Sequence, residues 1–278
     1  MKTLFSVPNL LSLGNLLCGC IAILNVIDGN IGSAVYLVML ACVFDFLDGF
    51  AARGLKQGSP MGKELDSLAD MVTFGVVPGM VMFQLIRYNL TTAYPSEFVE
   101  FGIGGYDLFE YLPYCGFIIP LFSGLRLAKF NVDTRQSESF IGLPTLANAL
   151  FICGVPLTLQ LNEAVWNNNT FLDAQHWGGF SLWSRFGSTP EAIISVLHSP
   201  WMLLGITVVF SFLLISEIPM FSFKVKNVKW KGNQIRYIFL AIAIGLAVWL
   251  KMAALPLIIV VYILMSVIYA IAKRSQAA

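Results

Sequence analysis

Charged side chains are scarce in this sequence: 12% of its 278 residues are Asp, Glu, Lys or Arg, whereas 57% are hydrophobic. A soluble globular domain carries about 25% charged residues. The shortage excludes a soluble enzyme, a nucleic-acid-binding protein and a disordered chain. The composition predicts instead a single membrane domain over residues 1–278, whose surface is shared with lipid.

Cysteine and histidine are also rare. The two histidines, His176 and His198, have no second cluster of metal ligands nearby, so we assign them no metal or catalytic role. The five cysteines all lie in apolar runs, which argues against a disulfide framework and indicates packing positions: Cys18, Cys20, Cys42, Cys115 and Cys153.

Long apolar runs are abundant, and a helix needs about 20 apolar residues to cross a bilayer. The runs predict an all-α, polytopic integral membrane helical bundle of about eight transmembrane helices. The predicted spans are 9–28, 31–54, 66–87, 112–130, 142–161, 200–218, 235–251 and 254–272. The helices within residues 200–278 are additional to those that carry the candidate site described below.

The basic residues are distributed unevenly among the loops that connect these spans. With the N-terminus inside, 14 of the 17 lie on the cytoplasmic side, and only Arg87, Arg185 and Lys251 lie outside. Because cytoplasmic loops carry an excess of Lys and Arg, both termini are predicted to be cytoplasmic. The lysine cluster within residues 224–231 belongs to the same signal.

Two long segments fall on the outer side, at residues 88–111 and 162–199. The second interleaves Trp and Phe with polar residues, a pattern typical of a segment lying at the membrane interface. A packed lid is the alternative. Thr189, Pro190 and Glu191 then predict the start of a short helix.

Four aspartates stand out, because charge inside a membrane is costly and therefore marks functional sites. Asp45 and Asp48 lie at the end of the second predicted span, and Asp66 and Asp70 lie at the start of the third. Spacings of three and four residues place each pair on one helix face. Two antiparallel helices joined by a short loop would direct all four carboxylates into one pocket near the inner leaflet.

Four carboxylates at close range repel one another unless cations lie between them. Hard divalent cations such as Mg²⁺ or Mn²⁺ take oxygen ligands and are often completed by substrate phosphates. Gly49 and Gly62 leave room for a bulky ligand, and Arg53 adds a guanidinium suited to phosphate. A cation or proton transporter is the non-enzymatic alternative, but its acids are expected near the bilayer midplane.

These residues form a signature with fixed spacing. The pattern Asp45-x2-Asp48-Gly49-x2-Ala52-Arg53-x8-Gly62-x3-Asp66-x3-Asp70 resembles in full that of the CDP-alcohol phosphotransferase family of integral membrane enzymes. Three further stretches are similar to its phosphatidylserine synthase branch: Pro8–Ser12, Ser123–Asn131 and Phe140–Pro144. The resemblance covers roughly residues 5–160, the expected catalytic region, although Lys129 and Leu146 replace a more usual arginine and proline.

The resemblance implies an enzyme that transfers the phosphatidyl group of CDP-diacylglycerol to the hydroxyl of L-serine, giving phosphatidylserine and CMP by direct attack. It implies two divalent cations, Mg²⁺ or Mn²⁺, held by Asp45, Asp48, Asp66 and Asp70, with Asp70 also acting as general base. The CDP site would comprise Gly49, Ala52, Arg53, Gly62, Asn9 and Ser12. The resemblance further implies a homodimer. The predicted topology places the protein among the lipids of the cytoplasmic membrane, with its site facing the cytoplasm.

The acceptor site is assigned to the cytoplasmic end of the fourth predicted span. Arg126 suits a bidentate contact with serine's carboxylate, with Lys129 and Asn131 close by. Alternatively, Arg126 and Lys129 are positive-inside anchors or bind the lipid phosphate. Glycerol phosphate, an inositol phosphate and choline are alternative acceptors, although a phosphorylated acceptor would need more basic residues beside the acids.

Overall fold

The computed structural model describes residues 4–94, 108–133, 140–159, 199–221, 233–250 and 254–277. These residues form a helical bundle with a helix at each position where the sequence predicts a span. The helices are α1 (Val7–Ile27), α2 (Ile31–Gly54), α3 (Pro60–Ala93), α4 (Phe109–Val132), α5 (Thr145–Leu159), α6 (Pro200–Ile215), α7 (Gln234–Leu250) and α8 (Ala254–Ala277).

Helix length divides this bundle into two groups. Within the described residues, five helices are long and apolar enough to cross a membrane: α1, α2, α3, α4 and the part of α8 at Ala254–Ile271. The described parts of α5, α6 and α7 comprise 15, 16 and 17 residues, fewer than the roughly 20 of a full crossing. The chain is therefore a helical membrane protein, as its composition predicts.

Large apolar side chains cover the outside of the bundle. Phe46 is 68% exposed, Leu121 67% and Val248 72%. Contiguous apolar surface of this kind is unfavourable in water and suits contact with acyl chains. The outward faces of α2, α4 and α7 therefore match a lipid environment.

α1 and α2 form an antiparallel hairpin, joined by a turn at Asp28, Gly29 and Asn30. Gly29 takes a φ of 81°, in the left-handed region that favours glycine. Ala22 and Ala34 are fully buried in this pair of helices, and such small side chains let helix axes approach closely. The hairpin places the first half of α1 beside the second half of α2.

α3 changes its hydrogen-bond pattern directly after Asp70. Residues Met71–Val76 form a π-helical turn, in which the Val77 amide bonds to the Val72 carbonyl. Pro78 follows and has no amide hydrogen to continue a regular ladder, which explains the local adjustment. The turn is anchored to α1, because the Thr73 hydroxyl donates to the Asn15 carbonyl over 3.1 Å.

Glycines mark the crossing of α3 and α4. A Cβ added to Gly79 would lie 2.6 Å from Cδ of Pro120, and one added to Gly116 would lie 2.7 Å from the Phe83 backbone nitrogen. Only glycine permits backbones to approach this closely. α4 contains a 3₁₀ segment at Leu112–Phe117, between its first α-helical turn and the α-helix that follows.

A short strand pair adds to the expected all-helical fold. β1 (Phe140–Ile141) pairs antiparallel with β2 (Pro219–Met220), with Phe140 opposite Met220. Gly142 continues the connection with a φ of 79°, and its amide donates to the Ile218 carbonyl over 3.0 Å. The pair ties the start of α5 to the end of α6.

The helix bounds correct two sequence expectations. α3 starts at Pro60 rather than at 66, because Ser59 caps it by accepting a hydrogen bond from the Gly62 amide over 3.0 Å. α3 also runs on to Ala93, so the proposed outer segment 88–111 is helical where it begins. The described residues leave out most of the two outer segments, including both histidines, Thr189, Pro190 and Glu191. They also leave out the lysine cluster within 224–231.

Candidate active site

The site lies where the end of α2, the beginning of α3 and the first half of α1 meet. The loop between α2 and α3 is short, which keeps these two helices adjacent and antiparallel. The cap at Ser59 and the proline at the first helical position fix how α3 begins. The acids of the two helices therefore face one another.

Three carboxylates form a compact cluster, which we call the three-acid cluster. One oxygen from each of Asp45, Asp48 and Asp66 lies within 4.8 Å of the corresponding atoms of the other two. Asp48 is buried, and the other two are partly exposed. The structure thus brings together three of the four acids whose spacing predicts a shared pocket.

Asp70 stands one helical turn beyond the three-acid cluster on α3. Its Oδ1 accepts a hydrogen bond from Nδ2 of Asn15 over 3.0 Å. The carboxylate is close enough to Asp45 and Asp66 for their charges to repel it. Asp70 therefore borders the cluster and is held by α1.

A polar stripe on α1 supports these acids. Asn9, Ser12 and Asn15 are spaced by three residues, which places them along one helix face, and all three are buried. The Ser12 hydroxyl donates to Oδ2 of Asp48 over 2.6 Å. Sequence reasoning did not single out Asn15, although its spacing from Ser12 in an otherwise apolar helix is a signal that could have identified it.

The donor set fits a hard divalent cation. Oδ1 of Asp66 is buried and accepts no hydrogen bond from any described residue. The described Lys and Arg residues form no ion pair with the cluster. Because neighbouring carboxylates are unfavourable without a counter-charge, oxygen-only ligands in this arrangement suit Mg²⁺ or Mn²⁺.

Four of the residues expected to contact CDP lie close to the acids along α2 and α3 and are partly or fully exposed. Arg53 is exposed, and its Nη1 would lie 3.4 Å from a Cβ added to Gly49. Gly62 lets α1 approach α3, since an added Cβ would lie 3.0 Å from Oδ1 of Asn9. Ala52, one position before Arg53, is partly exposed on the same helix end.

Arg126 lies inside the bundle near the fourth acid. It is 7% exposed, and its Nη1 donates to Oγ1 of Thr145 over 3.0 Å. Its guanidinium also lies 5.7 Å from the ring centroid of Phe130, a cation–π distance. Its Nε has no hydrogen-bond partner among the described residues, and Asp70 is within electrostatic range.

Lys129 and Asn131 make different contacts from Arg126. Lys129 forms an exposed ion pair with Glu217 over 3.5 Å. Asn131 donates from Nδ2 to Oγ of Ser67 over 3.0 Å. These two residues therefore link the end of α4 to its neighbours, whereas Arg126 is the buried cation among the three expected acceptor residues.

Tyr262 on α8 is a neighbour of Arg126 that the sequence did not reveal. It is 4% exposed, its hydroxyl donates to the Phe221 carbonyl over 3.1 Å, and it lies within electrostatic range of the guanidinium. A tyrosine in an apolar helix gives no signal in the sequence, since its surroundings depend on how α8 packs.

Fold and site together define a helical membrane protein with an acidic, cation-compatible pocket close to one end of the bundle. Residues 5–272 match the sequence profile of the CDP-alcohol phosphatidyltransferase family, and the chain belongs to this family. The match confirms the resemblance seen in the Asp45–Asp70 signature and the enzyme class it implies. It also extends over the later helices, which the motifs alone did not cover.

Individual relatives align with about half of the chain. The CDP-diacylglycerol–serine O-phosphatidyltransferase of Bacillus subtilis is 38% identical over 138 residues, 50% of this chain and 68% of that protein. The archaetidylserine synthase of Methanothermobacter thermautotrophicus is 33% identical over 160 residues, 57% and 60% of the two chains. The CDP-diacylglycerol–serine O-phosphatidyltransferase of Helicobacter pylori J99 is 32% identical over 154 residues, which are 55% of this chain and 57% of that protein. These alignments thus span about half of this chain and less than seven-tenths of each relative.

Proposed function

We propose that this protein is a CDP-diacylglycerol–serine O-phosphatidyltransferase, which converts CDP-diacylglycerol and L-serine into phosphatidylserine and CMP. The observation that carries the proposal is the three-acid cluster, built from the signature residues on α2 and α3. Serine as acceptor is supported by the names of the relatives, which include serine transferases from two bacteria and a synthase of a serine-containing archaeal lipid.

In this proposal Asp45, Asp48 and Asp66 hold two divalent cations, Mg²⁺ or Mn²⁺, and Asp70 contributes a further ligand oxygen. The bound cations would neutralise the pyrophosphate and stabilise the developing charge on CMP. Ser12 orients Asp48 through its hydrogen bond to Oδ2.

Asp70 is the proposed general base. Serine's hydroxyl is a weak nucleophile until a carboxylate within hydrogen-bond reach accepts its proton. The hydrogen bond from Asn15 to Oδ1 orients the carboxylate of Asp70 for this proton transfer. The serine oxygen then forms a bond to the phosphatidyl phosphorus as the bond from that phosphorus to the CMP oxygen breaks. No covalent enzyme intermediate is required.

The CDP moiety is proposed to lie along the exposed side of the cluster. Gly49, Ala52 and Gly62 leave space near the backbone, and the exposed Arg53 can reach phosphate oxygens. Asn9 and Ser12 form the α1 wall of this site. Arg53 has no ion-pair partner among the described residues, which supports a role with a charged ligand.

Arg126 is the proposed ligand of serine's carboxylate. A buried guanidinium with an unpartnered Nε is costly unless an anion satisfies it. Its position near Asp70 would hold the amino acid with its hydroxyl towards the base. Lys129 and Asn131, through Glu217 and Ser67, would keep the end of α4 in place at the rim of this pocket.

The proposed membrane arrangement has eight spans, cytoplasmic termini and a site open to the cytoplasm and the inner leaflet of the cytoplasmic membrane. The basic residues support this orientation. An aromatic group at the other end of the bundle, where Phe109 packs between Tyr94 and Trp201, suits a membrane interface there, since such rings are enriched at both interfaces. Residues 5–160 would form the catalytic region of one domain, 200–278 would add helices, and two copies would assemble as a homodimer.

Purified protein supplied with CDP-diacylglycerol, Mn²⁺ or Mg²⁺ and L-serine should release CMP, and chelation should abolish the release. A panel of acceptors tests the substrate. CMP release with glycerol phosphate but not with serine would refute serine as the acceptor. Ion flux in proteoliposomes without CMP release in any combination would support the transporter alternative instead.

A further inference from the structure

Asn148 is a fully buried asparagine on α5, with 0% of its surface exposed. Neither Oδ1 nor Nδ2 forms a hydrogen bond with any described residue. A buried amide left without partners costs about 1–3 kcal/mol for each unsatisfied group, and native proteins contain few of them. A side chain kept in this state indicates a ligand that completes its hydrogen bonds.

Helix geometry places Asn148 next to the contact of Arg126. Thr145 accepts the hydrogen bond from Arg126 and lies three residues before Asn148 on α5. Residues three apart share a helix face, with Cβ atoms about 5–6 Å apart. Asn148 therefore lies one turn further into the bundle than the Arg126–Thr145 contact.

The packing of α5 places this face at the depth of the acids. α5 packs against α2 and against the π-helical turn after Asp70. Further along α5, Cys153 is near Cys42, which lies one turn before Asp45 on α2. Along α5, Asn148 is located between Thr145, which contacts Arg126, and Cys153, which is near Cys42.

We propose that Asn148 determines acceptor specificity by accepting a hydrogen bond from the ammonium group of an amino-acid acceptor; this rests on the proposed function. Serine offers three groups: its hydroxyl goes to Asp70 and its carboxylate to Arg126, which leaves the ammonium to be bound. An amide oxygen accepts from an ammonium without neutralising Arg126, whereas an aspartate at this position would compete for the guanidinium.

The test measures each protein variant with each of three acceptors. L-Serine, 3-hydroxypropionate (which lacks the ammonium) and ethanolamine (which lacks the carboxylate) are compared by kcat/KM for CMP release, or as competitive inhibitors where turnover is absent. Asn148→Leu removes both amide groups and keeps the branching of the side chain, and Asn148→Ser keeps one acceptor oxygen. Asn89→Ala serves as the matched control, since Asn89 is also buried but lies near the far end of α3.

We expect Asn148→Leu to lower kcat/KM for serine about tenfold to a hundredfold, the range of a hydrogen bond to a charged group. The loss should be mainly in KM. The values for 3-hydroxypropionate should stay within about twofold, so discrimination between the two acceptors collapses. Asn148→Ser should retain part of the discrimination between serine and 3-hydroxypropionate, and Asn89→Ala should retain all of it.

Thermal stability in detergent separates this role from a structural one. Since Asn148→Leu removes two unsatisfied polar groups, it should not lower the midpoint of unfolding. A lowered midpoint together with equal losses for serine and 3-hydroxypropionate would overturn the proposal, and so would unchanged discrimination. If none of the acceptors causes the unmodified protein to release CMP, the proposed function itself fails, and the role of Asn148 fails with it.

Discussion

The Ser12 hydroxyl on α1 donates to Oδ2 of Asp48 on α2 over 2.6 Å, and both side chains are buried. A short hydrogen bond to a carboxylate is stronger than one between neutral groups. It fixes the most buried member of the three-acid cluster from a helix outside the Asp45–Asp70 signature. The geometry of the acids therefore depends on three helices rather than two.

Ser12→Ala should weaken binding of the divalent cation while the protein still folds. Loss of the bond costs about 1–3 kcal/mol at a charged acceptor, so the cation concentration for half-maximal CMP release should rise about tenfold. Ser211→Ala is the control, because Ser211 is buried without a hydrogen-bond partner among the described residues. Identical cation dependence in both variants would contradict the role of Ser12.

Asp70→Asn should nearly abolish CMP release, because an amide of the same shape cannot accept the serine proton. General-base catalysis contributes about 10²–10⁴-fold, and the loss should fall in or above that range. Asn15→Ala should cause a smaller loss, since it removes only the hydrogen bond that orients Asp70. Single-turnover rates with CDP-diacylglycerol measure the losses in the two variants. A wild-type rate in Asp70→Asn would exclude Asp70 as the base.

Arg126→Gln should raise KM for serine at least tenfold with a smaller change in KM for CDP-diacylglycerol, because it removes the buried cation beside Asp70. Arg126→Lys should recover only part of the loss, since an ammonium lacks the bidentate fork. Lys129→Gln is the matched control: its exposed pair with Glu217 contributes little. A rise in KM for the lipid nucleotide alone would assign Arg126 to the lipid phosphate instead.

Gly142→Ala should destabilise the protein. The residue has a φ of 79°, and an added Cβ would lie 2.6 Å from the Leu214 carbonyl oxygen. The backbone conformation alone costs about 1–3 kcal/mol for a non-glycine residue, and the contact adds to it. The midpoint of thermal unfolding in detergent should fall for Gly142→Ala but not for Gly205→Ala, where an added Cβ meets nothing within 4 Å.

Hydrophobic runs predicted where the helices lie, because a bilayer span imposes a length that sequence reveals directly. The start of α3 was set too late because the capping signal at Ser59 and Pro60 lies in a polar stretch that hydropathy does not weigh. The strand pair at Phe140–Ile141 and Pro219–Met220 is two residues long and joins distant segments, so no local pattern could indicate it.

The acids were predictable because residues three and four apart share a helix face whatever the tertiary structure. Asn148 and Tyr262 were not, since their relevance comes from how α5 and α8 pack around Arg126. A buried side chain without partners can be recognised only once its neighbours are known.

The π-helical turn at Met71–Val76 joins the part of α3 that carries Asp66 and Asp70 to the apolar part that follows it. Its extra residue sets the rotation between the acidic first turns and the apolar remainder that packs on α4. Adding or deleting one residue between Asp70 and Pro78 would turn one part relative to the other by about 100°. In this stretch the number of residues should consequently be constrained more tightly by selection than their identities, and tolerated substitutions should far outnumber tolerated insertions.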